Sequence, residues 1–261
     1  MEPAARCCLA GGRSHASGAS RGSTVPGRCH TWGVLVALIV WGIALPAYGS
    51  LSLGIDFVGK SSYTNSMAPT ETAGAVPQTH WNNAVAGSGS LSSLVDNSGV
   101  ATGVSVAWTA KTGYIGIDDT PGDNRLMRGY LTQIGSSGPS VTVSGLSSVF
   151  TGGHYSVLVY FDGDNGPTPW ITDFTIGSHT LTGTDLAGTN FNGTYAQDTG
   201  SGGNYVRFDG VTGDTFTLTA TAHKGASSPA INGIEIIHAP EPATLALVGL
   251  GLAGTLLRRR K

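Results

Sequence analysis

The sequence predicts an all-β protein. It reads as a two-sheet antiparallel sandwich or jelly roll over residues 50–239, flanked by an N-terminal signal helix and a short C-terminal transmembrane helix. Three observations predict this. Residues 50–239 are rich in Gly, Ser, Thr and Asn and break into short alternating runs bounded by Gly, Asp, Asn or Pro, the strand-and-turn pattern. No convincing amphipathic run of ten or more residues appears there at helical spacing. Long uncharged apolar runs occur only near the two ends, each beside basic residues.

Charge follows the same division. Residues 1–49 carry a net +3, residues 50–239 carry 14 acids against 6 bases, a net −8, and residues 240–261 carry +3. The middle is acidic and its bases are scattered, which argues against nucleic acid as a partner, because phosphate binding needs clustered Lys and Arg. Cys7, Cys8 and Cys29 all precede the first apolar run. The middle therefore has no disulfide framework and no thiolate metal site.

At the N-terminus, "WGVLVALIVWGIALPAYGS" (Trp32–Ser50) follows an Arg-bearing lead and ends in small residues. That is the basic, apolar and cleavage-site order of a secretory signal. Ala47 and Gly49 put small side chains at the −3 and −1 positions, so cleavage is expected after Gly49, with export through the Sec machinery. A retained anchor is the alternative; Pro46 and the small residues after it favour cleavage. The lead is long for such a signal. A start at Val25 would leave Arg28 as its positive charge.

In the middle, strands are expected near Gly54–Val58, Thr102–Thr109, Tyr114–Ile117, Val141–Ser144 and His154–Phe161. More follow in "WITDFTIG", "SHTLTG", "NYVRFDG", "DTFTLTATA" and "INGIEII". In Thr215–Thr221, Phe216, Leu218 and Ala220 alternate with threonines, giving one buried and one wet face. Tyr155–Phe161 is apolar on both faces and reads as a central strand covered twice. Asn124–Leu131 has room for a turn or two of helix. Trp108 alternates with Val104 and Val106 and reads as core. One domain is expected.

At the C-terminus, residues 243–257 are uncharged and glycine-dotted and end at Arg258, Arg259, Arg260 and Lys261. Fifteen helical residues span roughly 22 Å, against about 30 Å of hydrocarbon core, so the span is short. The basic cluster prefers the cytoplasmic side, which leaves the middle outside. Pro240-Glu241-Pro242 just upstream is held extended and cannot join the helix. Triplet, apolar run and Arg cluster together resemble the PEP-CTERM sorting signal of Gram-negative bacteria. The resemblance implies recognition by an exosortase, an integral-membrane enzyme that cleaves near the triplet. It also implies transient residence in the inner membrane, then a cell-surface or extracellular product associated with exopolysaccharide and biofilm matrix.

The series "VPQTHWNN", "LMRGYL", "YSVLVYFDGDN" and "INGIEII" resembles galactose-binding-like jelly rolls, including malectin-like modules. That resemblance implies a jelly roll, often carbohydrate-binding.

Candidate sites are few. Trp81, Asn82 and Asn83, with Trp170, offer flat aromatics beside amides, the chemistry of sugar recognition. The alternative is that Trp81 plugs the core and the asparagines cap a turn. Asp162, Asp164 and Asn165 in "DGDNG" offer hard oxygen ligands suited to Ca2+, although the spacing is not that of an EF-hand. A polar hairpin loop is the alternative. Asp118, Asp119 and Asp123 form an acidic loop, read as a solvated turn before a metal site. Asn192-Gly193-Thr194 is a sequon, read as a turn. No HExxH, GxSxG or P-loop motif occurs, and no catalytic residue is assigned. Scattered acids such as Asp56, Asp173 and Glu235 leave glycosidase chemistry open. The expectation is a non-catalytic exported surface or matrix protein with polysaccharide as ligand. A polysaccharide-active enzyme, or a structural matrix component without a small ligand, is the alternative.

Overall fold

A computed structural model describes residues 51–133, 137–150, 152–225 and 228–238. The expected signal segment (1–49, cleavage at Ala47 and Gly49) and sorting segment (240–261, with the span at 243–257) lie outside the described residues. Among those described, no helix is long and apolar enough to cross a membrane.

Two sheets carry the fold. The first has five strands in the order β11-β8-β13-β1-β2, formed by β1 (Ser52–Gly59), β2 (Asn82–Val85), β8 (His154–Tyr160), β11 (Tyr205–Thr212) and β13 (Gly233–His238). All its pairs are antiparallel except β1 with β2. The second has six antiparallel strands in the order β10-β9-β12-β7-β4-β3: β3 (Ser88–Leu91), β4 (Ser105–Thr109), β7 (Ser140–Ser144), β9 (Trp170–Ile176), β10 (His179–Asp185) and β12 (Thr215–Ala222). A ribbon of β5 (Lys111–Tyr114) and β6 (Gly129–Thr132) forms a third, two-stranded sheet, joined to the rest by backbone bonds between Leu131 and Ile231, with the short helix α1 (Asp123–Arg128) leading into β6.

Alternation explains the packing between the sheets. Ile55, Val157, Val159, Ile234 and Ile236 face one way from the first sheet. Val106, Val141, Val143, Phe174 and Leu218 face the other way from the second. All belong to one buried cluster, so the two sheets form a sandwich. On β12, Phe216, Leu218 and Ala220 are buried and the threonines take the outer face, as the pattern predicts. Trp108 is core, its indole N–H donating to the Ala86 carbonyl at 2.9 Å.

The second face of the five-stranded sheet is also covered. β8 is buried on both faces from Tyr155 to Tyr160, because a second cluster packs there: Met67, Trp81, Ile115, Leu126, Met127 and Phe191 meet Leu158, Tyr160 and Ile237. The acidic loop fastens this cover. Arg125 pairs with Glu71 and with Asp119, while Asp123 Oδ1 accepts bonds from the Gly74 N–H and the Tyr195 hydroxyl, each at 3.0 Å. Asn232, fully buried, ties three parts together. Its side-chain oxygen accepts the Asp162 N–H at 2.6 Å and its amide donates to the Met127 and Gly129 carbonyls, while its own carbonyl accepts the Phe57 N–H.

Candidate functional site

The expected aromatic-amide site does not face solvent. Trp81 is 4% exposed and lies in the cover layer. Its ring meets Tyr160 edge to face at 6.2 Å, and its N–H donates to the Gln78 carbonyl. Asn82 and Asn83 begin β2, and their side chains are spent on backbone. Asn82 bonds Gly54, and Val95 on both its N–H and C=O, while Asn83 bonds Met67 on both N–H and C=O. Buried polar groups need such partners, so these asparagines splice strands rather than receive a sugar. Trp170 is half-buried on β9, edge to face with Tyr130 at 6.3 Å. Its indole covers Gly163: a Cβ added at Gly163 would sit 2.2 Å from the ring. Gly163→Ala must therefore shift Trp170 or the loop, and overpacking of this kind costs about 1–3 kcal/mol. Urea unfolding of the variant checks that loss.

Asp162, Asp164 and Asn165 do not converge either. Asp164 is exposed. Asn165 is 8% exposed, and its amide bridges to the Asp185 and Leu186 carbonyls while its oxygen accepts the Gly188 N–H. Among the described residues no three His, Cys, Asp or Glu side chains gather as a metal site.

Asp162 turns inward instead, and there it meets a carboxylate that the sequence does not single out. Asp162 and Asp185 are 3% and 6% exposed. The N–H of Gly163, the next residue after Asp162, donates to Asp185 Oδ2 at 2.9 Å, and the Phe191 N–H donates to Asp162 Oδ2 at 2.6 Å. Asp162 Oδ1 is buried with no hydrogen-bond partner. Burial, then the neighbouring Asp185 charge, pushes the Asp162 carboxyl up to about 8. Burial pushes Asp185 up to about 7 against the opposing bonds from Gly163 and Asn165.

Both residues line a cleft of about 300 Å³, with Asn190, Phe191, Asn192 and Asn204. The cleft is built by the end of β8 and by the long connection 186–204 between β10 and β11. Long ordered loops on a rigid scaffold are where binding residues collect. Asp198 braces this one, accepting N–H groups of Thr184, Gly200 and Gly202. Asn192 Oδ1 accepts the Thr194 N–H, so the sequon is a turn at the cleft rim.

Asp56 and Glu235 lie elsewhere. Asp56 pairs with Gly233 and Glu235 with Gly54, which puts both side chains on the covered face of the first sheet as diagonal neighbours. Each is fully buried, and neither lines the cleft. Glu235 Oε2 accepts the Tyr160 hydroxyl at 2.5 Å, and burial raises the acid to about 8. Both Asp56 oxygens lack a partner, and burial followed by the Glu71 charge raises it well above the usual carboxylate range. Asp173 sits on β9, bonded to Thr182 and His223. The three acids do not share a cleft.

A family model of the PEP-CTERM protein-sorting motif matches residues 238–261. No curated protein matches the chain. Similar solved structures include a β-glucuronidase 2 from Bacteroides uniformis, at 8% identity and TM-score 0.37, covering 72% of this chain and 18% of that one. An exo-β-1,3-galactanase from Phanerochaete chrysosporium is similar at 13% identity and TM-score 0.31, covering 59% of this chain and 30% of that one. The chain thus spans less than a third of the length of either.

Proposed function

We propose that this chain, which ends in a PEP-CTERM sorting motif, is an exosortase-sorted surface or matrix protein whose single β-sandwich, of jelly-roll type, binds polysaccharide without acting on it. The motif at 238–261 carries the first half of this reading, because it implies processing by a membrane enzyme at the C-terminus. Export through the Sec machinery, cleavage after Gly49 and a brief stay in the inner membrane complete the route. Pro240, Glu241 and Pro242 are the recognition triplet, and Arg258, Arg259 and Arg260 hold the inner leaflet.

The cleft supports the second half. Exposed Asn190 and the amide N–H groups of exposed Asn192 are suited to sugar hydroxyls, beside the exposed Leu186 as apolar surface. Retention on a glycan array, with and without chelator, tests it: the exported chain is expected to bind at least one polysaccharide saturably. No binding across neutral and anionic glycans refutes it and favours a structural matrix role.

One observation favours a second reading, a polysaccharide-active enzyme: two carboxylates line one cleft. Against it, the pair is raised in the same direction, whereas acid-base catalysis needs one acid and one ionised partner with values pushed apart. Release of reducing ends from a bound polysaccharide, lost in Asp185→Asn, decides for the enzyme.

A further inference from the structure

The folded chain carries three Asn-Gly pairs: Asn165-Gly166, Asn192-Gly193 and Asn232-Gly233. A glycine after asparagine leaves the next backbone nitrogen unshielded by a Cβ, so each pair is chemically able to close a succinimide ring. The fold treats the three differently. Asn232 is fully buried, its oxygen and its amide are both bonded, and Gly233 is paired within β13. Asn165 is 8% exposed, with its amide on two carbonyls and its oxygen on the Gly188 N–H. Asn192 and Gly193 are both exposed, in the loop at the cleft rim. Among the described residues no hydrogen bond holds the Gly193 N–H or the Asn192 amide group. Gly193 has φ +88°, and a Cβ built there meets nothing within 4 Å, so the peptide has room to turn.

We propose that Asn192-Gly193 is a self-modification site, where the asparagine converts without an enzyme to aspartate and isoaspartate while the other two pairs stay intact in the folded domain. The Gly193 backbone nitrogen loses its proton to hydroxide and attacks Asn192 Cγ. Negative charge then develops on Oδ1, which already accepts the Thr194 N–H at 3.1 Å. That donor sits where an oxyanion needs one. The Cγ–Nδ2 bond breaks and ammonia leaves, closing the succinimide. Water opens the ring at either carbonyl. In sum one water enters and one ammonia leaves, with no redox change, and the chain gains one negative charge. The cleft lining has no basic side chain to neutralise it. The product also lacks the Asn192 N–H donors offered to sugar hydroxyls, so ageing should weaken glycan retention, most for anionic glycans. That consequence rests on the proposed polysaccharide reading; the modification itself does not.

Peptide mapping by mass spectrometry tests this on the exported chain, held folded at pH 8 and 37 °C beside a sample in urea. Expected in the folded chain is conversion at Asn192, with isoaspartate among the products, and faster at pH 8 than at pH 6. Buried pairs react only through opening, so Asn165 and Asn232 should lag by roughly tenfold or more when folded and catch up in urea. Asn192→Gln should remove the acidic band that isoelectric focusing shows in aged wild type, with an unchanged circular dichroism spectrum because the site is exposed. Asn192 left intact in the folded chain, or conversion of Asn165 or Asn232 at the same rate there, overturns the proposal. Glycan retention of aged and fresh chain is measured separately: a chain that binds no glycan at all refutes the polysaccharide reading and leaves the mapping result to decide the modification.

Discussion

The folded domain is expected to lose stability as pH rises from about 5 to above 8. Asp162, Glu235 and Asp185 have folded values near 8, 8 and 7, and Asp56 is raised well above its usual range. All four are acids whose folded pKa exceeds the unfolded one, so the native state binds more protons than the unfolded chain across that window. Their contribution is fully present below the unfolded values, 3.8 for Asp and 4.5 for Glu, and is lost as pH climbs through the folded values. Asp96 and Asp209 are displaced downward and act oppositely, but only below the ordinary carboxylate range. Stability should therefore peak in mild acid. Each tenfold gain in proton affinity on folding corresponds to about 1.4 kcal/mol, so the combined fall is on the order of several kcal/mol, a large share of a typical domain's stability. Urea midpoints between pH 5 and pH 8.5 measure it. Glu235→Gln keeps the Tyr160 bond and should flatten the curve; a wild-type midpoint that rises toward pH 8.5 contradicts the assignment of these acids as buried and protonated.

Trp81→Ala should cost about 3–5 kcal/mol, the usual range for emptying a buried aromatic site. The indole covers Gly54 and Gly74, where added Cβ atoms would fall 2.6 Å and 3.0 Å from its ring. Its removal opens the cover layer over Tyr160 and Glu235. It also loosens Gln78, whose side-chain oxygen accepts the Ser52 hydroxyl at 2.6 Å. Trp81→Phe retains part of the packing and should lose less. Denaturant unfolding of both variants separates this role from a sugar-binding one, which would lower affinity and leave stability alone.

Much of the sandwich was legible because alternation is a direct consequence of the pleat. The runs that became β1, β4, β7 to β13 and α1 all carry their burial pattern in their residue types. β2, β3 and β6 were not legible, and the strand expected near Tyr114–Ile117 is displaced: β5 is Lys111–Tyr114, ending where the expected strand began. "NNAV" is tied in by the side-chain bonds of its asparagines and "SGSL" pairs with β4 through backbone, and the Asn and Gly they contain are depleted from strands. The aromatic of "HWNN" could be read as surface or core from its type alone. Only the cover layer, assembled from residues 60–81, 115–128 and 191–195, decides for core. The site was half-legible. Asp162 was marked by its neighbours in "DGDNG", but which of those acids turned inward depended on Asp185. That residue ends β10 as an isolated acid in "LTGTDLAG", with no local signal. Asn232, the hub under Asp162, lay unmarked inside "INGIEII" for the same reason: its partners are distant in the chain.

On the proposed function, the working surface lies in the 186–204 cleft rather than at Trp81. Affinity electrophoresis of the exported chain in gels containing a polysaccharide bound by the wild type tests this most directly, with Asn190→Ala run beside Trp81→Phe. Retardation should disappear in Asn190→Ala, which is exposed and free to change without unfolding, and persist in folded Trp81→Phe. Retardation kept by Asn190→Ala and lost by Trp81→Phe at unchanged stability would contradict it.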